Sequence, residues 1–455
     1  MTAHDDVPKM TVAKLRDAEL ARREQATDPA TAAAANDEML HVLLKCFHHT
    51  VASYMPNALV PTLPRWLDVL AKLLERAPDF DASDASDDAT RGSPRAKTVK
   101  RALQALVSLV TRHRRHVDKA LRGVCSLTAR LAGALARARL GATEEAPLSA
   151  TASRQCALCF DLLARVAETA PGFKLLGEGA TFGSLLETAV FPALCAAPVD
   201  EVEFVEDEEE YLRANLPTDS DDPTGFNEEL YAPRQSAANL LALLAERGGG
   251  GGGGGGKNDK EEASAASSKR KKGGGGSRGG ARRGAASGPS GAPGDVALRF
   301  LERFAPPPPE FADVAASSSG SAPEAAAARS SYHGALVAYG ALARWLEKRR
   351  DKGVVGTLAR RRVLPVLEDA SAAEFGGGAT NTPYSTSAAM LRACACWALG
   401  ELSRAEGLPE EATHAALLRA MTDPRLAESP AARSAAASAI AAALQASCWP
   451  KDWAP

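Results

Sequence analysis

The chain has 455 residues, 45% hydrophobic but only 5% aromatic, and a formal net charge of −2. That length exceeds one ordinary core and calls for several domains or an elongated repeat array. Isoleucine occurs once, at Ile440, while alanine is everywhere, a balance that speaks against strand-rich folds. Near-neutrality argues against a dedicated nucleic-acid binder, which would carry a basic face.

Residues 1–35 form a charged lead-in without the apolar run of a secretory signal, and no window approaches the ~20 apolar residues of a membrane span. The eight cysteines lie mostly inside helical stripes, without disulfide-framework spacing, which points to a reducing, intracellular compartment. Residues 36–246 read as helices in series. Asn36 to Tyr54 ends before Pro56. Leu63 to Arg76 carries a stripe of Trp66, Val69, Leu70, Leu73 and Leu74, with Pro64 in its first turn.

Lys97 to Arg114 repeats the stripe through Val99, Ala102, Leu103, Leu106, Val107 and Val110, and helices over about Val117–Arg139 and Ser149–Thr169 follow. Phe182 to Leu194 is next, where Pro192 should kink or end the helix. Residues 199–230 hold thirteen acidic residues against one basic, and a helix starting at Pro233 turns Ala237, Leu240, Leu241 and Leu244 inward.

Residues 247–294, opened by a nine-glycine run, bury too little apolar surface to offset chain entropy and read as a disordered insert. A short helix and a Pro/Ala/Ser linker occupy 295–323. Helices resume over 324–446 (Glu324–Arg350, Val354–Leu367, Leu391–Arg404, Pro409–Met421 and Pro430–Leu444), and 447–455 is a tail. In Leu391–Arg404 the residues Leu391, Cys394, Ala395, Ala398, Leu399 and Leu402 fall at helical spacing. Val190-Phe-Pro-Ala-Leu194 and Val363-Leu-Pro-Val-Leu367 echo each other as a weak internal repeat.

Short helices with apolar stripes and brief connections bury their faces by stacking on one another. The expected fold is therefore all-α: a HEAT-repeat-like α-solenoid, a right-handed superhelix of antiparallel helix pairs interrupted by the Gly-rich insert. Such an architecture provides surface rather than a reaction centre.

The text from Phe204-Val-Glu-Asp-Glu-Glu-Glu-Tyr-Leu-Arg213 to Glu228-Glu-Leu-Tyr-Ala-Pro-Arg-Gln-Ser-Ala-Ala238 resembles nuclear transport receptors of the importin-beta superfamily, most of all the importin seven and eight group. Leu63-Pro-Arg-Trp-Leu67, Val190 to Leu194, the Cys-Trp helix at Leu391–Arg404 and Asp423-Pro-Arg-Leu426 fit that group's text in the same order. The exportin that recycles importin alpha is the nearest competitor.

The resemblance implies a shuttling receptor of cytoplasm and nucleus that carries protein cargo. It also implies contact with Phe-Gly nucleoporins and coupling to the GTPase Ran through N-terminal repeats that this chain is expected to lack. A generic HEAT scaffold for a multiprotein complex is the reading from another class. The chain is expected to act as a monomer, without membrane or direct nucleic-acid contact.

Two charged patches are candidate sites. Glu206, Asp207, Glu208, Glu209 and Glu210, with Asp219, Asp221 and Asp222, would attract basic cargo; the plainer alternative is a solvated inter-repeat loop. Tyr211 and Arg213 are expected to pack and pair at its base. Lys269, Arg270, Lys271 and Lys272 read as a nuclear-localisation or polyanion patch, or as a chance cluster.

Cys156-x-x-Cys159 and Cys394-x-Cys396 have no second knuckle at zinc spacing and read as core thiols, so no metal is expected. Gly251 to Asn258 nearly matches a phosphate-binding loop, but Asn258 replaces the required hydroxyl and no strand precedes it. The Gly177–Gly183 run reads as an inter-helix turn. No nucleophile–base constellation or cofactor motif emerges, and the chain is not expected to be an enzyme.

Overall fold

The computed structural model describes residues 29–77, 94–143, 148–216, 232–249, 291–306, 322–368, 386–422 and 429–446. Every regular element among them is a helix, so the chain is all-α. The helices divide into two compact units, Met1–Val166 and Ala167–Pro455.

The first unit contains α1 (Pro29–Ser53), α2 (Leu63–Glu75), α3 (Pro94–Arg112), α4 (Leu121–Leu140) and α5 (Ala150–Ala167, its last residue beyond the boundary). α1 packs on α3, and α2 on α4. Thr98 Oγ1 donates to Asp37 O at 3.3 Å and His113 Nε2 lies 2.7 Å from Val51 O, so α1 and α3 run in the same direction. Gln155 Nε2 of α5 donates to Ala96 O of α3 at 2.7 Å. Each helix thus stacks on the next but one, as antiparallel pairs in a repeat array do.

In α2 the buried positions are Leu63, Leu67, Leu70 and Leu74. The expected stripe is rotated: Val69 is exposed, and Trp66 sits half-buried, stacked on Phe47 with ring centroids 4.3 Å apart. Pro64 does occupy the first turn of α2.

The second unit opens with α6 (Ala170–Leu176), capped by Thr169 Oγ1 accepting from Gly172 N at 3.3 Å. There follow α7 (Gly179–Leu185), α8 (Phe191–Leu194), α9 (Pro198–Glu206), α10 (Glu208–Asn215), α11 (Pro233–Gly249), α12 (Pro293–Leu301), α13 (Ala322–Ala341), α14 (Ala343–Arg349), α15 (Lys352–Leu358), α16 (Leu364–Glu368), α17 (Thr386–Leu402), α18 (Glu410–Thr422) and α19 (Pro430–Gln445). In one layer α11, α13, α17 and α19 stack in turn. In the other, α7 packs on α12 and α16 on α18, while Arg362 ties the turn before α16 to the carbonyls of Phe304 and Glu302 at 2.6 and 3.1 Å.

Met390 clusters with Ala431 at one end of the α17–α19 contact, and Gly400 meets Ala439 near the other. These two helices therefore also run parallel. The expected stripe on α17 is instead a helix buried nearly all round, from Ala389 to Leu402, which is what the centre of a helical stack requires.

The two echoed texts occupy matching places. A five-residue π turn, Leu186–Val190, precedes Phe191-Pro192, and another, Ala359–Val363, precedes Leu364-Pro365. Phe191 N bonds Leu186 O and Leu364 N bonds Ala359 O, five residues back in each case. A proline clashes with the carbonyl four residues before it, and the widened turn relieves that clash. Pro192 therefore neither ends the helix nor needs a sharp kink; α8 continues to Leu194.

Other expectations need correction. α11 extends through Gly248 and Gly249, into the residues assigned to the insert, and α12 begins at Pro293 rather than after it. The helix expected over Glu324–Arg350 is broken at Leu342. The glycine run at 177–183 is a turn only at Gly177 and Glu178, since Gly179 already starts α7. The stretch Gly179–Glu206 is long and apolar enough to cross a membrane, contrary to the reading that no window comes near. Here Phe182, Leu185, Leu186, Val190, Phe191 and Leu194 are core residues, and Phe191 stacks on Phe304 at 4.4 Å.

Candidate functional site: the acidic hairpin

The acidic run is helical, not a loop, over its described half. Pro198 opens α9, where the Asp200 carboxylate accepts from Ala197 N at 2.6 Å. Asp207 breaks the helix with an extended backbone and caps α10, its Oδ1 accepting from Glu210 N at 2.9 Å. Carboxylates in a first turn also favour the helix through its dipole, and Glu208, Glu209 and Glu210 occupy that turn.

The hairpin is fixed from inside by Arg234, in the first turn of α11 and fully buried. Its Nη1 donates to Tyr211 Oη at 2.6 Å and Asn215 Oδ1 at 3.0 Å, both on α10. Its Nη2 donates to Asp200 Oδ2 at 2.5 Å and Cys195 O at 3.2 Å, and Nε donates to Leu194 O at 3.2 Å. One guanidinium so joins α8, α9, α10 and α11. Burial opposes its charge, yet Asp200 and Tyr211 outweigh that and hold its pKa above the usual arginine value. A buried cation is tolerated when it is paired and its donors are used, as here.

On the other side the hairpin docks by packing. Phe204 and Tyr211 meet edge-to-face at 5.5 Å and cluster with Ala389, Met390 and Ala431 of α17 and α19. Glu208 Oε2 accepts from Ser429 Oγ at 2.8 Å and Ala431 N at 2.9 Å, completing the cap of α19.

The candidate acids therefore divide. Asp207 caps α10, Glu208 caps α19, and Glu210 pairs with Arg213 at 2.6 Å. Glu206 and Glu209 are exposed, beside the exposed Val205. Asp219, Asp221, Asp222 and the basic patch Lys269–Lys272 lie outside the described residues. Tyr211 packs at the base, as the sequence suggested, whereas Arg213 is exposed and pairs with Glu210 of its own helix. Asp200, Asn215 and Arg234, which hold the hairpin, were not singled out by sequence reasoning.

The cysteine reading holds where it can be checked. Cys156, Cys159, Cys394 and Cys396 are fully buried. Burial pushes the thiols of Cys156, Cys394 and Cys396 up to about 12 and that of Cys159 well above its usual value, which makes them inert at neutral pH. A cleft of about 800 Å³ lies between α12 and α15, with Leu298, Val354 and Leu358 on its walls and Glu302, Thr357 and Arg361 at its rim.

No family model matches the chain, and no curated protein matches it. Among solved structures it is similar to "The exportin Cse1 in its cargo-free, cytoplasmic state", at 11% identity and a TM-score of 0.46, over 95% of this chain and 42% of that one. The chain thus spans less than half the length of that exportin. At so low an identity and TM-score, the likeness bears on neither family nor activity, and it does not single out the importin seven and eight group.

Proposed function

We propose that the chain is part of a nuclear transport receptor of the importin-beta superfamily, which recognises protein cargo through an exposed surface and shuttles between cytoplasm and nucleus. The observation that carries this reading is the acidic hairpin itself. The Glu-Tyr-Leu-Arg and Tyr-Ala-Pro-Arg landmarks of the resemblance supply Tyr211 and Arg234, which meet at 2.6 Å and hold α9 and α10 in one orientation. Glu206 and Glu209 are thereby presented outward on a preorganised support. Carboxylates on a fixed backbone attract Lys/Arg-rich segments at the cost of ordering their own side chains alone.

Basic proteins are the cargo class on this reading. Phe side chains of nucleoporins would enter the cleft against Leu298, Val354 and Leu358. Cargo release follows curvature changes in the repeat array, since each repeat touches only its neighbours and a partner can shift their stacking.

The test is binding of a lysine-rich protein tail to the full chain by anisotropy, with and without Ran loaded with GTP. Salt-sensitive binding supports the cargo surface, and release on adding Ran supports a transport receptor. Binding indifferent to Ran favours a scaffold, and no binding at low salt removes the hairpin as a cargo site.

A further inference from the structure

The described part of the first unit carries a charge pattern opposite to that of the hairpin. From Pro94 to Thr143 there are twelve Lys and Arg residues and one acid, Asp118. That acid is already held, its Oδ1 accepting from Arg114 Nε at 3.1 Å. α4 contains no acid at all. One face of it is core, through Leu121, Val124, Cys125, Leu131, Leu135 and Ala136. The opposite face exposes Arg122, Ser126, Arg130 and Arg137, which fall within an ~80° arc at 100° per residue and span about 22 Å at 1.5 Å per residue. Gly123 beside them opens onto free space. Lys119 and Arg115, also exposed, extend the positive surface beyond the start of α4.

We propose that this face of α4 is a docking site for an acidic helix of a partner protein. Charge complementarity carries the choice, and spacing sharpens it. Arg122 and Arg130 are eight residues apart, or about 12 Å along the axis, the separation of carboxylates placed every seven or eight residues on a facing helix. Arginine donates two parallel hydrogen bonds to one carboxylate, and the small Gly123 and Ser126 between the cations leave room for close approach. Helix-on-helix stacking is also how the neighbouring elements of this unit associate.

Nucleic acid fits less well. Residues 94–143 contain no Phe, Tyr or Trp, so no platform stacks unpaired bases. On α4 itself the spacing of Arg122 and Arg130 exceeds the ~7 Å between successive phosphates of a strand, twice the axial repeat of one nucleotide.

The full chain is titrated against a fluorescein-labelled alanine–glutamate helix of about 20 residues whose glutamates recur every seven or eight positions. The comparisons are a peptide of the same composition with clustered glutamates and a labelled DNA duplex. Binding of the spaced helix should weaken with salt, exceed that of the clustered peptide, and fall at least about tenfold in R122E/R130E. R122Q/R130Q should weaken it by a smaller factor while the circular dichroism and melting temperature stay at wild-type values. Affinity unchanged in both variants, equal binding of the clustered peptide, or a duplex that binds as tightly as the spaced helix would each overturn the proposal.

Discussion

Within the second unit, the acidic hairpin and the α13–α17–α19 stack solve the same problem with opposite chemistry. The hairpin is joined to its neighbours by one buried cation whose hydrogen bonds cross four helices. The stack is joined by absence of side chain: the Trp397 ring of α17 lies against Gly340 of α13, and the Cβ that Gly400 lacks would stand 3.0 Å from Ala439 Cα. A polar joint fixes direction, because each donor demands a partner at one angle. A small-residue joint fixes distance and leaves rotation to neighbouring contacts. An element that must present charges in a set orientation needs the first kind.

The largest effect should come from breaking the polar joint. Arg234→Met leaves Asp200 buried without its cation and should cost about 3–5 kcal/mol, read as a lowered urea midpoint. Adding Asp200→Asn should recover part of that loss, because the stranded charge is then gone. A single-variant loss under about 1 kcal/mol would mean that water replaces the guanidinium and the joint is not dry.

The small-residue joint should break by excess rather than by loss. Gly340→Val places methyls into the Trp397 ring and should cost about 1–3 kcal/mol, with a shifted tryptophan emission. The acidic hairpin should keep its geometry, so basic-peptide binding should survive in this variant. Tyr211→Phe removes one acceptor from Arg234 while keeping the ring against Phe204, and about 1–2 kcal/mol is expected. Glu208→Ala leaves the Ser429 cap of α19 but removes the acceptor of Ala431 N at the edge of both joints, and should cost about 1 kcal/mol in the same denaturation measurement.

How much of this could be read in the sequence follows from what each joint is made of. Helices over α3 and α11 were legible because Val99, Ala102, Leu103, Leu106 and Val110, and Ala237, Leu240, Leu241 and Leu244, repeat at 3.6-residue spacing and are buried. The rotated stripe of α2 and the fully wrapped α17 were less so, since periodicity marks an apolar face but not how many neighbours cover the rest. Asp200 stands 34 residues before Arg234, and spacing carries no information about a pair that only folding brings together. One signal was available. Arg234 precedes Ala237 and Leu241 by three and seven positions and so shares their inward face, which marks a buried cation in need of an anion. The helical character of residues 198–215 was hidden by their charge, which resembles that of solvated loops until the caps at Asp207 and Ala197 are seen.

The smallest effect on stability should fall on the residues with the most direct bearing on function. Glu206 and Glu209 project from the hairpin with no partner among the described residues. Replacing both by glutamine removes two charges and no joint, so the denaturation midpoint should move by less than about 0.5 kcal/mol equivalent. If the hairpin holds basic cargo, the same variant should bind a lysine-rich tail several-fold more weakly at low salt, and the gap should close as salt screens the wild type. Arg234→Met should then weaken the same tail even though it leaves Glu206 and Glu209 in place, because carboxylates on a loosened support must be ordered by the ligand. Equal binding by wild type and both variants would separate the hairpin's architecture from cargo recognition and leave it a structural brace between α11 and α17.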